Sequence, residues 1–379
     1  MKQNLFTSES VGRGHPDKIC DQIADKILDA CLYQDKNSRV ACEVLATNRL
    51  IVIGGEITTK GYVDVTKIAW QVIKPLGYTE SDFTIINNIN SQSLDISHLV
   101  DKANHELGAG DQGIVYGYAT NKTKNYMPLS YVLANEIVKR TTKLIDQKKF
   151  KGAKYDMKSQ VTIDWTNIDK PIIDNMIASI QHDKDVDLNK FRKFVVDNVF
   201  IPLAKEYKLN TNFKTRVNHV GAFTIGGPIG DTGLTGRKII VDNYGPSAHV
   251  GGGCFSGKDY TKVDRTGAYF ARWIAKNIVG AKLADRCEVE ISYCIGEPKP
   301  VAFAINCFDT NKVSLQDIYN SVYKTFTFDL ASIVRQLQLD RPIYSNLSVF
   351  GHFGRDELKL PWEKLNKVKD LLSNLNKAK

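Results

Sequence analysis

The 379-residue sequence predicts an α+β protein of three structurally related α/β units, each a hairpin-based sheet packed with helices. Three observations carry this. Paired runs of alternating apolar residues recur three times, each pair broken by a short polar turn. Each pair is followed by an amphipathic helix. The three helix starts are alike: Val63-Asp64-Val65-Thr66-Lys67-Ile68, Val186-Asp187-Leu188-Asn189-Lys190-Phe191 and Val313-Ser314-Leu315-Gln316-Asp317-Ile318. Each puts Asp or Ser at an N-cap ahead of an apolar stripe. Chance likeness among common hairpin–helix units is the alternative.

The first element is a helix from about Asp17 to Gln34. Ile19, Ile23 and Ile27 fall four apart, and Pro16 sits where its missing N–H costs nothing. Strands follow at Arg39–Ala46 and Leu50–Ile57 around Thr47-Asn48, then a helix from Val65 to Leu76 closed by Gly77. Residues 81–113, with Asn87, Asn88, Asn90 and Ser91, read as a long polar loop. A helix is expected over 128–146. The second hairpin is placed at Ser159–Trp165 and Lys170–Ile180, with a helix from Leu188 to Tyr207. A glycine series fills 211–236. Ile239-Ile240-Val241 reads as a strand that leads to a glycine loop, and the alanine-rich helix Val263–Leu283 follows. The third hairpin is Glu288–Ile295 and Pro300–Phe308, and its helix starts at Leu315. The units are divided at 1–100, 101–230 and 231–379.

Composition narrows the function. The apolar fraction of 42% and charged fraction of 25% are ordinary for a globular protein. No run of 18 apolar residues marks a membrane span, and the first residues lack a signal-peptide core, so a cytoplasmic location is expected. The 7 cysteines include no CxxC pair, which argues against a disulfide framework or a zinc site. The net charge of +9 is dispersed, so an anionic small substrate is favoured over nucleic acid or a membrane surface. The lysine-rich stretch from Lys364 to Lys379 reads as a solvated helix face.

Candidate chemistry gathers in glycine-flanked loops. These hold His15 and Asp17 in GHPDK, Asp111 in GAGDQG, Asp231, Arg237 and Lys238 in GDTGLTGRK, and Lys258, Lys262 and Asp264 in GGGCFSGKDYTKVDR. Lysines among carboxylates suit a polyphosphate with its metal ion; a flexible, solvated surface loop is the competing reading. Gly252–Lys258 fits GxxxxGK, yet Asp259 stands where a P-loop has Ser or Thr. Asp17 near a helix start is favoured by the dipole, and His15 could donate to a phosphate oxygen. Glu43 and Glu56 lie in otherwise apolar strands, where a carboxylate needs a cation.

GHPDK, GGEIT, GAGDQGIVYGYAT, KSQVT, IGGPIGDTGLTGRKIIVD and GGGCFSGKDYTKVDR occur in the order found in S-adenosylmethionine synthetases, and the chain resembles that family from Leu5 to Arg355. The resemblance implies three related units about a pseudo-threefold. It implies attack of methionine sulfur on C5′ of ATP with triphosphate leaving, then triphosphate hydrolysis to pyrophosphate and phosphate. By motif, His15, Lys158, Arg237, Lys238 and Lys258 resemble the triphosphate contacts. Asp156 and Phe223 resemble the ribose and adenine contacts, with Cys254 also on the ATP side. Glu56, Gln92, Asp231 and Lys262 resemble the methionine site, Asp231 touching both substrates, and Asp111 matches a further active-site acid. Asp17 and Asp264 resemble ligands of two Mg²⁺ ions, and Glu43 that of one K⁺. Gln92 to Lys102 resembles a mobile gate. The family builds its sites between two subunits of a homo-oligomer, a dimer or a homotetramer, with no nucleic-acid or membrane partner. The chain departs from the pattern at Gly12-Arg13, which puts a positive charge beside the triphosphate region, at Ala222, and in a short 83–91 segment and gate. A phosphate-handling NTPase without adenosyl transfer and a nucleotide- or RNA-binding protein are the competing readings.

Overall fold

A computed structural model describes residues 4–91 and 107–376 of the chain. The first two hairpins form the middle of four-stranded sheets, and the third forms one side of a three-stranded sheet. β2 (Arg39–Thr47) and β3 (Leu50–Thr58) pair through a turn at Asn48, whose φ of 46° suits a short polar side chain. β6 (Ala153–Asp164) pairs with β7 (Ile172–His182), and β10 (Arg286–Tyr293) with β11 (Ala302–Asn306). The helix after each hairpin starts where the sequence puts it. α2 (Val65–Ile73), α4 (Leu188–Val195) and α8 (Leu315–Thr325) are capped by Asp64, Asp187 and Ser314, whose side chains accept from backbone N–H groups of the first turn.

Each sheet is completed by a strand from another part of the chain. β1 (Leu5–Val11) pairs antiparallel with β6, β5 (Gly113–Thr120) with β10, and the two-residue β9 (Gly233–Leu234) with β2. α1 (Pro16–Gln34) packs on β9, α3 (Leu129–Asp146) on β1, and α7 (Val263–Gly280) on β5. The leading strand of each unit is thus lent in a cycle, first to second, second to third and third to first. That is the arrangement a pseudo-threefold needs. The helices bury their stripes against these sheets: Ile19, Ile23 and Ile27 of α1 and Ala271, Ala275 and Ile278 of α7 are all 0% exposed.

Three expectations change. The polar run expected as a loop holds β4 (Thr84–Asn90), parallel to β3. Ile85 and Ile89 face the core, and as an edge strand it keeps its asparagines in water while its backbone pairs. Ile239–Asp242 is one helical turn, α6, and not a strand. Asp242 N–H donates to Lys238 O and the Asn243 amide closes the turn on Ile239 O. The helix expected over 188–207 has a π-turn at Val196–Phe200 before α5 (Ile201–Glu206), because Pro202 has no N–H for the regular ladder.

β8 (Lys214–Val217) runs parallel to β7 as β4 does to β3. α9 (Leu330–Leu337) follows α8, and in the lysine-rich tail α10 (Val368–Asn376) docks Leu371 in the core. The seven cysteines are free thiols, five of them buried. Among the described residues no helix is long and apolar enough to cross a membrane.

Candidate active site

The N-terminus of α1 supplies the first group. His15 is the N-cap, 3% exposed, and its Nδ1 accepts the Asp17 N–H at 3.2 Å. Burial, then the nearby Lys238 charge, lower its pKa to about 3. The ring is therefore neutral, with its proton on Nε2 as a donor rather than an imidazolium charge. Asp17 is 2% exposed; burial pushes its carboxyl up, but Lys238 at 2.5 Å and the Leu234 N–H at 2.9 Å outweigh this and hold it ionised. Arg237 approaches the same carboxylate at 3.8 Å and is otherwise half in solvent.

Beside His15 lies a cleft of ≈ 360 Å³ whose walls include Asp156, Lys158, Phe223, Gly227 and Asp231. Asp156, on β6, accepts the Gly227 N–H at 2.7 Å. Burial raises its pKa to about 6, against the pull of Gly227 and Lys158. Lys158 is paired in register with Val11 and stands exposed on the cleft wall. Phe223 is half-buried, and Asp231 is exposed at the rim, its carboxylate holding the Thr232 N–H at 2.9 Å. The walls thus carry an aromatic ring, a carboxyl, the Lys158 cation and a neutral imidazole, with Lys238 and Arg237 gathered at Asp17 beside that imidazole.

The loops that carry these groups are tied down by a feature the apolar-stripe reading of α1 passed over. Asp17, Asp21, Asp25 and Asp29 fall four apart, so they share one helix face. Each holds backbone N–H groups of a distant loop. Asp17 takes Leu234 and Asp21 takes Gly236, both at 2.9 Å. Asp25 takes Gly257 at 2.9 Å, and Asp29 takes Tyr344 at 2.9 Å and Ser345 at 2.8 Å. Lys18, 0% exposed, bonds Asp21 at 2.9 Å and also Asp242; burial opposes its charge, and these two carboxylates overcome that. Arg265 grips Asp25 through two bonds of 2.8 Å and donates to Lys258 O at 3.0 Å. The signal was present as carboxylates at helical spacing on an otherwise apolar face.

The second cluster surrounds the glycine loop before α7. Gly257 has a φ of 80° and lies against the Cys42 carbonyl, where a Cβ would collide. Lys258 meets Asp264 at 2.5 Å, and Lys262 meets Asp259 at 2.6 Å. Asp259, the residue in the P-loop hydroxyl position, is fully buried and holds the Val40 N–H at 2.6 Å and Thr261 N–H at 2.8 Å. It is an anchor, not a nucleotide ligand. Gly110 N–H bonds Thr261 O at 3.2 Å, which sets Asp111 beside this loop. Glu43 and Glu56 stand exposed on the adjoining hairpin. Although Glu43 meets solvent, its carboxyl is crowded enough by neighbouring atoms that desolvation raises its pKa, with Lys258 opposing. Cys254 abuts Gly236, and burial lifts its thiol to about 11, so it stays protonated.

The expected residues thus fall into two groups. His15, Asp17, Asp156, Lys158, Phe223, Asp231, Arg237 and Lys238 lie around the cleft. Glu43, Glu56, Asp111, Cys254, Lys258, Lys262 and Asp264 lie around the glycine loop. Asp17 and Asp264 are each salt-bridged to their own lysine. Gln92 and the gate to Lys102 lie outside the described residues. Arg13 does not charge the cleft as expected: it stacks on Tyr155 at 3.9 Å and pairs with Asp146 at 2.5 Å. Ala222 is exposed and offers only backbone.

Family models match three consecutive stretches: the N-terminal domain of S-adenosylmethionine synthetase over residues 3–102, the central domain over 106–223 and the C-terminal domain over 225–364. The chain is 56% identical to the S-adenosylmethionine synthase of Mycoplasmopsis pulmonis over 368 residues, 97% of this chain and 98% of the relative. It is 50% identical to that of Mycoplasma mycoides subsp. mycoides SC over 378 residues, covering 98% and 97%. Identity to the Staphylococcus epidermidis synthase is 46% over 385 residues, covering 97% and 96%.

Proposed function

The chain belongs to the S-adenosylmethionine synthetase family, and from that premise we propose how its residues divide the reaction. It is a methionine adenosyltransferase that forms S-adenosyl-L-methionine from L-methionine and ATP. The relatives carry this name, so the NTPase and RNA-binding readings are set aside. In the proposed chemistry the methionine sulfur forms a bond to C5′ while the C5′–O bond breaks. The electron pair goes to triphosphate, and water then splits that product to pyrophosphate and phosphate.

The observation that carries the proposal is the polarity of the cleft wall. Phe223 suits a base, Asp156 a ribose hydroxyl and Lys158 the triphosphate, with Arg237 and Lys238 held at Asp17 behind His15 to extend that cationic end. Neutral His15 donates from Nε2 to the oxygen that leaves C5′, where negative charge grows. A thioether needs no general base, which agrees with a wall of donors and cations. Asp231 at the rim would meet both substrates. Glu56, Gln92 and Lys262 would hold methionine, with Lys258, Cys254 and Asp111 closing the far side.

Among the described residues no three metal-ligating side chains converge. That fits Mg²⁺, which is usually held by one or two carboxylates together with substrate phosphates. Asp17 would offer one carboxylate and Asp264 another for two Mg²⁺ ions, and Glu43 would serve K⁺. These cations would neutralise the triphosphate. Lys238 keeps the Asp17 carboxylate ionised meanwhile, and Lys258 pairs with Asp264. Because none of the glycine-loop residues lines the cleft, the reading includes a homodimer in which the cleft of one subunit faces the glycine loop of the other. Two such dimers would make the tetramer, in a cytoplasmic setting.

The experiment is an assay with ATP, methionine, Mg²⁺ and K⁺. S-adenosylmethionine, pyrophosphate and phosphate are expected in equal amounts. ATP consumption that does not depend on methionine would contradict the proposal.

A further inference from the structure

The cleft wall is closed by Asn218–Gly227, a segment with no regular secondary structure until its last residue. Its Phe223 ring can serve a nucleobase only if this backbone is held still. Side chains of β6, β7 and the segment itself hold it. Asn218 makes two 2.8 Å bonds to the backbone of Ile180, the Gln181 amide donates to Thr224 O at 3.2 Å, and Asp156 takes Gly227 N–H at 2.7 Å. At the aromatic residue itself the holder is His182.

His182 is 1% exposed and lines no part of the ≈ 360 Å³ cleft. Its backbone N–H donates to Phe223 O at 2.9 Å. Its ring Nε2 accepts the Phe223 N–H at 3.0 Å. Nδ1 lies 2.8 Å from Asp183 O. Nε2 must carry a lone pair to accept, so the proton is on Nδ1 and donates to Asp183 O. Both polar groups of the Phe223 backbone are therefore met by one residue, and the ring is fixed from the other end by Asp183. The Asp183 carboxylate in turn pairs with Lys154 at 3.1 Å, and Phe191 packs on the imidazole with ring centres 5.2 Å apart.

We infer that His182 is a positioning residue for the nucleobase end of the ATP cleft, acting through the Phe223 backbone; this rests on the ATP-site reading above. Nothing in the arrangement touches the triphosphate end, which is tied instead to α1. The two ends of one ligand are thus held by separate devices, and His182 governs only one of them.

Two full-length variants separate this from a general loss of structure. In His182→Gln the amide oxygen reaches the place of Nε2 and still accepts from Phe223. In His182→Asn the amide reaches only the place of Nδ1, leaving the Phe223 N–H unmatched. Equilibrium binding is measured without methionine, for ATP and for inorganic tripolyphosphate, which has no base. His182→Asn is expected to weaken ATP binding about tenfold, the size of one lost hydrogen bond. Tripolyphosphate binding is expected to stay within about twofold, and His182→Gln to restore most of the ATP affinity. Unchanged ATP binding in His182→Asn, or an equal loss for both ligands, would overturn the inference. A wild-type chain that binds ATP but makes no S-adenosylmethionine would refute the reaction reading while leaving the binding comparison intact. One that binds no ATP would refute both.

Discussion

The cleft and the glycine loop carry similar residues but are built differently. The cleft is concave, ≈ 360 Å³, and Lys158 and Phe223 face it. A hollow against the glycine loop, lined by Gly251, Gly253 and Asp264, holds ≈ 10 Å³, and Lys258 and Lys262 are paired with Asp264 and Asp259 of the same loop. One region is a concave cleft; the other presents paired charges beside a small hollow. The difference teaches that residue type and ligand shape are separate requirements. Among the described residues the glycine loop shows the first and only a small hollow beside it, and on the proposed reading a second copy supplies the shape.

The strongest way to break this comparison is at the anchors. Asp25→Asn removes the partner of fully buried Arg265, so unfolding free energy is expected to fall by about 3–5 kcal/mol in chemical denaturation. Lys258→Met, in a part-exposed pair of the same loop, is expected to cost about 1 kcal/mol or less. A small effect of Asp25→Asn would mean that the loop does not hang on α1. Next, Asp17→Asn is expected to lower kcat by about 10²–10³, with thermal melting used to check that the fold persists. Near-normal turnover would remove Asp17 from the chemistry.

A medium effect is expected from pH. Asp156 ionises near pH 6, and its ionised form is the stronger acceptor for a ribose hydroxyl beside the bond from Gly227. The ATP kcat/KM should therefore fall as pH drops through about 6, and Asp156→Asn should flatten that limb. A profile unchanged by the variant would assign the limb to another group. The smallest effect is expected at Cys254. Its thiol stays protonated far above neutral pH, so Cys254→Ala should alter ATP use by less than about threefold.

The sequence made the hairpins and the helices after them legible because both rest on local signals, period-two and period-3.6 apolar patterns with capping residues at Asp64, Asp187 and Ser314. The exchange of β1, β5 and β9 among sheets was not legible, since pairing over long separations leaves no local trace. Thr84–Asn90 was hidden by its asparagines, which an edge strand tolerates. Most of the residues expected to bind ATP lie on one cleft, yet their division into two clusters could not be read from spacing. The aspartate row of α1 was visible as letters. Its meaning depended on backbone N–H groups more than two hundred residues away.

The central claim is that one active site joins the cleft of one subunit to the glycine loop of another. Co-expression of Asp17→Asn with Lys258→Met tests it most directly, each inactive when expressed alone. In a mixed dimer, one site would then contain both defects and the other neither. With random pairing, S-adenosylmethionine formation should recover to about one quarter of the wild-type rate. If cleft and loop serve the same site within one chain, every site in the mixture carries a defect. The mixture would then be as inactive as its parents, and the shared-site account would be contradicted.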